Sequence, residues 1–126
     1  MKKVIITTNA PAPIGPYSQA IFKGNTLYTS GQIAINPANG KLVLDNIKLE
    51  THQVMKNMEA VLKEAKMTFE DVVKATIFIT DMNNFSEINA VYGSYFNEEL
   101  APARETVQVS KLPKNVNVEI SMIAIK

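Results

Sequence analysis

The strongest candidates for chemistry in this sequence are one arginine and one glutamate near its C-terminus. Arg104 is the only arginine among 13 basic residues, and the others are all lysine. A guanidinium offers a planar fork of donors that binds a carboxylate through two parallel hydrogen bonds, which an ammonium group cannot do. Glu119 follows in a strand-like segment, and its carboxylate can hold a water by accepting a hydrogen bond from it. Together they suggest a site for a small organic acid beside a water, with a surface ion pair as the alternative interpretation.

Composition excludes several other kinds of site. The chain has no cysteine and one histidine, which rules out disulfides, thiolate nucleophiles and metal sites built from cysteine or several histidines. His52 itself falls inside a helical pattern, where we expect it to be solvated. The formal net charge is +1, which predicts no strong attraction to nucleic acid or to an anionic membrane.

Length and hydropathy indicate one domain that spans residues 1–126. A chain of 126 residues is long enough to bury a sizeable core. The N-terminal lysines are followed by only three apolar residues, too few for the core of a signal peptide. No stretch approaches the length of a membrane span. We therefore expect a cytoplasmic protein with no membrane partner.

The elements that must position Arg104 and Glu119 follow from periodicity. Apolar residues Val54, Met58 and Val61 recur at helical spacing, whereas residues 72–80 are rich in β-branched side chains. The dipeptide Gly24-Asn25 suits the turn of a hairpin. The predicted elements are strands 3–7, 19–23 and 26–30, helix 49–65, strand 72–80, helix 84–98, and strands 104–110 and 116–125. This order, β-β-β-α-β-α-β-β, predicts an α+β fold in which two helices cover one face of a mixed sheet.

The last two strands are expected to pair as a hairpin centred near Pro113. Each shows one apolar face for the helices and one polar face, because strand side chains alternate between faces. In that register Thr106 lies opposite Glu119. Arg104 and Glu119 are then diagonal neighbours on the polar face, roughly 7–8 Å apart at the backbone.

Four short motifs, in order along the chain, resemble those of the Rid family, also called YjgF-like proteins. The resemblance covers nearly the whole sequence without a large insertion. The matching segments are 14–19 (IGPYSQ), 29–32 (TSGQ), 88–92 (INAVY), and the C-terminal group 102–104 (PAR), 106–107 (TV) and 118–120 (VEI).

This resemblance implies a fold, an assembly and an activity. The fold is chorismate-mutase-like α+β, assembled as a homotrimer with helices outside and ligand clefts between subunits. The activity is hydrolysis of short 2-imino or enamino acids, such as 2-iminobutanoate and 2-iminopropanoate, to 2-oxo acids and ammonia. Neither a metal nor an organic cofactor is implied.

The resemblance also assigns roles to individual residues. Arg104 binds the substrate carboxylate, and Glu119 orients or activates the attacking water. The remaining candidates line, close or brace the pocket: Tyr17, Ser30, Gly31, Asn89 and Thr106. Each of these also has a purely structural interpretation, such as packing or a bulge.

Two positions depart from the family pattern, and they bear on substrate preference. Glu105 stands where a small or apolar residue is usual, although alternation points its side chain away from Arg104. Thr106 stands where many relatives have cysteine, a change that a role through the backbone tolerates.

Two other functions remain open from the sequence. Some family members have been described as endoribonucleases that inhibit translation, but the near-neutral charge and the lack of a lysine-rich aromatic stripe give that function little support here. The other is a non-enzymatic, ligand-sensing or chaperone-like trimer that uses the same clefts. Release of ammonia from freshly generated 2-iminobutanoate separates the deaminase from both.

Overall fold

The computed structural model describes all 126 residues and contains the eight elements in the predicted order. For most of the strands, the first or last residue differs from the predicted one by a few positions. The elements are β1 (Lys3–Ile5), β2 (Ala20–Lys23), β3 (Thr26–Thr29), α1 (Ile47–Glu64), β4 (Val72–Ile79), α2 (Phe85–Gly93), β5 (Ala103–Gln108) and β6 (Val118–Ile125). No helix is long and apolar enough to cross a membrane.

The strands form one six-stranded mixed sheet. Its spatial order is β1-β2-β3-β6-β4-β5, and only the β4–β5 pair is parallel. The predicted hairpin between β2 and β3 is confirmed: Lys23 pairs with Thr26 across Gly24-Asn25. Gly24 has a φ of +63°, a conformation that glycine adopts without the steric cost of a Cβ.

Both helices pack on one face of this sheet. The Asn46 side chain caps α1 by accepting a hydrogen bond from the Leu49 amide at 2.9 Å. The predicted stripe of α1 is buried in the core together with alternate residues of β4 and β6. The fully buried side chains of this layer include Val54, Met58, Leu62, Ile77, Ile79, Ile120 and Met122.

The second helix is shorter than predicted, because α2 ends at Gly93 and not near residue 98. Gly93 and Ser94 are weak helix formers, and the Ser94 hydroxyl donates to the Val91 carbonyl at 2.6 Å. Tyr95 and Phe96 therefore lie beyond the helix, yet both are partly buried and pack against the core.

The predicted C-terminal hairpin is wrong. Strand β4 lies between β5 and β6, so these two strands do not pair. Helix α2 carries the chain across the sheet between β4 and β5, and such a crossover makes the two strands parallel. Strand β5 then forms the edge of the sheet, which suits its exposed residues, whereas the fully buried alternate residues of β6 suit a central position.

Glu50, which the sequence analysis passed over, ties α1 to the start of β6. Its side chain is fully buried. One carboxylate oxygen accepts from the Asn117 amide at 2.8 Å and the Val118 amide at 3.2 Å, and the other accepts from the Asn117 side chain at 2.7 Å. The contact fixes the strand that carries Glu119.

We expect Glu50→Ala to lower the free energy of unfolding by about 3 kcal/mol or more, because it leaves buried donors unpaired and opens a cavity. Glu50→Gln keeps one acceptor oxygen, and the side-chain amide of Asn117 can turn so that its oxygen accepts from the new amide group. We therefore expect this variant to lower the free energy of unfolding by less than about 1.5 kcal/mol. Urea unfolding followed by circular dichroism measures both. Equal losses for the two variants would contradict this role.

Candidate active site

Four of the predicted site residues line one pocket of about 320 Å³ on the sheet face opposite the helices. Its wall consists of Ile14, Tyr17, Ser30, Gly31, Ile33, Pro113 and Glu119. Tyr17 comes from the proline-rich segment, Ser30 and Gly31 follow β3, and Glu119 belongs to β6. The structure therefore places Tyr17 beside Glu119 within one chain.

A buried glutamine holds the proline-rich segment in place. Gln19 accepts from the Thr7 amide at 2.8 Å and donates to the carbonyls of Thr7 and Pro11 at 3.0 and 2.9 Å. The Ser30 hydroxyl then donates to the Ser18 carbonyl at 2.5 Å. Ser30 thus anchors the backbone that leads to Tyr17.

Gly31 lies directly against the Glu119 carboxylate. A Cβ at this position would collide with that carboxylate. The contact is set by a short bridge in which the Gln32 and Ile120 amides each donate to the other's carbonyl, at 2.8 and 3.1 Å. The need for glycine at residue 31 is therefore steric.

Glu119 has the environment of a carboxylate that can exchange a proton. It is half-buried, and burial raises its pKa above the ordinary glutamate value. No cation of the chain lies within ion-pair distance to oppose this effect, since the single ion pair joins Lys74 and Glu105. A raised pKa brings the group closer to neutral pH, where a general base is most effective.

Arg104 lies on the other face of the sheet, with the helices. It pairs in register with Ala75, which faces the core. Its Nη1 donates to the Asn89 side-chain oxygen at 2.6 Å, and its guanidinium carbon lies 5.3 Å from the centroid of the Tyr92 ring. No carboxylate pairs with it.

Thr106 belongs to the same group as Arg104. It lies two residues further along β5 on the same face, in register with Ile77. Its hydroxyl is buried and has no hydrogen-bond partner in the chain. Such a group costs stability unless something outside the chain satisfies it.

The seven predicted residues thus form two groups, separated by the sheet. We call Tyr17, Ser30, Gly31 and Glu119 the glutamate half-site, and Asn89, Arg104 and Thr106 the arginine half-site. The prediction that Arg104 and Glu119 are diagonal neighbours on one polar face is wrong, because β4 intervenes and turns Arg104 toward the helices. One chain does not bring the guanidinium and the carboxylate into a common pocket.

Glu105 points away from Arg104, as alternation predicted. It accepts from the Lys74 ammonium at 2.5 Å and from the Thr76 hydroxyl at 2.8 Å. The hydrogen bond from Lys74, followed by that from Thr76, lowers the pKa of the Glu105 carboxyl. It therefore stays ionised and bound to Lys74 and Thr76 on the face of the sheet opposite the helices, which we call the open face. It does not compete for the guanidinium of Arg104.

His52 is not simply solvated. It is half-buried on α1, and its Nδ1 lies 2.8 Å from the Tyr95 hydroxyl. Neither residue adjoins either half-site. The chain contains no cluster of three histidine, cysteine, aspartate or glutamate side chains that could hold a metal ion.

Comparison with known proteins places the chain among relatives of the same length. A family model described as Endoribonuclease L-PSP matches residues 7–126. A RutC family protein of Pyrococcus horikoshii is 52% identical over 126 residues, which cover 100% of this chain and 99% of that protein. The 2-iminobutanoate/2-iminopropanoate deaminase of Mus musculus is 45% identical over 126 residues, which cover 100% of this chain and 93% of the mouse protein.

Solved structures agree with the sequence relatives. The crystal structure of YyfA, a protein of unknown function of the Rid family from Yersinia pestis, matches with a TM-score of 0.97 at 53% identity and covers 100% of both chains. Sequence identity at this level over the full length of both chains shows a shared family as well as a shared fold. The chain therefore belongs to the Rid (YjgF-like) family.

Proposed function

We propose that this protein is a deaminase that hydrolyses short 2-imino acids, such as 2-iminobutanoate and 2-iminopropanoate, to 2-oxo acids and ammonia. The observation that carries the proposal is the chemistry of the two half-sites, a guanidinium with no acidic partner and a half-buried carboxylate with a raised pKa. These groups match the two ends of such a substrate. The mouse relative with that activity in its name supports the assignment.

The chemistry needs orientation more than a strong nucleophile. An imine carbon is electrophilic once its nitrogen is protonated. Arg104 holds the carboxylate and thereby fixes that carbon, while Glu119 takes a proton from the attacking water. The hydroxyl adds to the imine carbon, and Glu119 returns the proton to the nitrogen of the resulting carbinolamine. As the carbon–nitrogen bond then breaks and ammonia leaves, the hydroxyl gives its own proton to Glu119 and becomes the carbonyl of the 2-oxo acid.

We further propose that the chain forms a homotrimer and that each active site is completed between two of its copies. Three features favour this assembly. The half-sites lie on opposite faces of one sheet, Arg104 and Thr106 belong to an edge strand, and the open face exposes large apolar side chains. Those side chains are Tyr28, Val73, Val107 and Ile125, each at least 40% exposed.

Sedimentation equilibrium at micromolar concentration is expected to give about three times the 13.9 kDa chain mass. A monomer mass under these conditions would contradict the shared site, because each half-site would then stay incomplete.

Mixing inactive variants tests which half-sites meet. Equal amounts of Arg104→Ala and Glu119→Gln subunits, exchanged to equilibrium, should recover about one quarter of wild-type activity, because each mixed ring contains one interface with both intact halves. Tyr17→Ala should also recover activity with Arg104→Ala, but not with Glu119→Gln, since Tyr17 and Glu119 share a half-site. The measurement is imine hydrolysis, with mass spectrometry to confirm hybrid trimers. Recovery in both Tyr17 mixtures, or in neither, would contradict the division.

Gly31→Ala is expected to reduce imine hydrolysis about 100-fold while the protein stays folded. The added methyl displaces the Glu119 carboxylate, and a misplacement near 1 Å is enough for such a loss. Initial rates and circular dichroism measure the two effects. Gly93→Ala, with open space around the added methyl group, is the matched control and should react at the wild-type rate.

The description of the family model makes RNA cleavage the second candidate function. The proposed deaminase predicts that purified protein releases ammonia from 2-iminobutanoate and leaves RNA intact. RNA cleavage that is lost in Arg104→Ala, together with no ammonia release, would favour the nuclease. Binding of 2-oxo acids without either reaction would favour a ligand sensor.

A further inference from the structure

One face of helix α2 forms a cradle for the Arg104 side chain. Phe85, Asn89 and Tyr92 follow one another at spacings of four and three residues, which place them on one side of a helix. The guanidinium carbon lies 5.7 Å from the Phe85 ring centroid and 5.3 Å from the Tyr92 ring centroid. Between the two rings, Asn89 accepts the hydrogen bond already described.

This arrangement holds the guanidinium without neutralising it. The faces of aromatic rings attract a cation through their quadrupole, and the Asn89 amide is uncharged. A guanidinium has five N–H donors, and the hydrogen bond to Asn89 is the only one that the Arg104 guanidinium makes within the chain. A carboxylate in place of these neighbours would occupy the donors and compete with an incoming anion.

The burial of the two rings differs, which matters for testing them. Tyr92 is 4% exposed and belongs to the core, whereas Phe85 is half-buried at the first turn of α2. The Tyr92 hydroxyl is buried and has no partner. Only the Tyr92 ring, and not its hydroxyl, has a defined contact with the guanidinium.

We infer that Phe85 and Tyr92 are positioning residues for substrate binding, and that they act through Arg104 by presenting its charged fork to the substrate carboxylate. The inference deepens the proposed function and rests on it. It assigns to two aromatic residues, neither of which is among the seven predicted site residues, a share in the recognition of the carboxylate.

The first experiment compares affinities for 2-oxobutanoate, the expected product, by calorimetric titration. Phe85→Leu and Tyr92→Leu should each weaken binding about 5-fold, the range of a partly desolvated cation–π contact. Tyr92→Phe keeps the ring and should bind like wild type. Phe96→Leu is the control, since Phe96 packs on Tyr92 and Phe69 in the same aromatic cluster but has no contact with Arg104.

The second experiment distinguishes positioning from a general loss of structure. In steady-state kinetics with 2-iminobutanoate, Phe85→Leu should raise KM and leave kcat within about 2-fold of the wild-type value. This pattern is expected when a substitution weakens binding of the substrate and of the transition state equally. Added to Arg104→Ala, the same substitution should change kcat/KM no further, because the group it positions is absent. The uncharged 2-oxobutanamide should bind Phe85→Leu and wild type equally.

The outcomes separate the inference from the proposed function. If Arg104→Ala binds 2-oxobutanoate as tightly as wild type, the proposed carboxylate anchor itself is wrong. If Arg104→Ala binds poorly while Phe85→Leu and Tyr92→Leu bind normally, only the positioning role is overturned. It is also overturned if Phe85→Leu lowers kcat/KM equally with and without Arg104, or if Tyr92→Phe loses as much affinity as Tyr92→Leu.

Discussion

Arg104→Lys is expected to weaken binding of 2-oxobutanoate about 10- to 100-fold, although the variant keeps the charge and the fold. A bidentate, charge-assisted pair contributes about 1.5–3 kcal/mol, and an ammonium group cannot reproduce its planar geometry. The lysine would also lose the hydrogen bond to Asn89 in its present geometry and the extended contact with the rings of Phe85 and Tyr92.

Calorimetric titration measures this effect, with circular dichroism to confirm folding. Arg104→Ala provides the lower limit of affinity, and Lys74→Arg adds a guanidinium at the exposed ion pair without touching either half-site. Wild-type affinity and turnover in Arg104→Lys would rule out the carboxylate-anchor role. Unfolding of both Arg104 variants would instead favour a structural role for the arginine.

Glu119→Gln is expected to slow imine hydrolysis at least about 100-fold while 2-oxobutanoate binds nearly as in wild type. The amide keeps the shape of the side chain but cannot take a proton from water, and losing a positioned base has this order of effect. Glu105→Gln is the matched control, because Glu105 also lies on the open face but outside the pocket. Normal turnover in Glu119→Gln would mean that another group, such as Ser30, holds the water.

The pH dependence follows from the same carboxylate. Burial raises the pKa of Glu119, and the base acts only when ionised, so kcat/KM should fall as the pH is lowered through that raised value. The midpoint of this acid limb is expected above 4.5, the ordinary glutamate value. Rate profiles between pH 4 and 8 measure it. In Glu119→Gln the limb should disappear, and its persistence there would assign it to a different group.

Local patterns in the sequence determined the elements and the fold class. Three of these patterns reflect short-range geometry. The apolar stripe of α1 follows the helical period of 3.6 residues, the alternation of β6 follows the strand period of 2, and the turn at Gly24-Asn25 needs a positive φ. All three are confirmed. The predicted end of α2 is wrong, because apolar residues continue at helical spacing through Tyr95 and Phe96, beyond the last residue of the helix.

The motifs also supplied the seven candidate site residues, but the sequence could not group them. Alternation shows that Arg104 and Thr106 share a face of β5, yet it does not show which face meets the helices. That depends on the neighbouring strand, and the crossover through α2 pairs β5 with β4 instead of β6. The pairing of strands that are distant in the sequence leaves no periodic pattern in either strand. Only the tertiary structure therefore decided that Arg104 joins Asn89 on the helix side of the sheet. For the same reason, only the structure showed that Glu119 faces Gly31 on the opposite side.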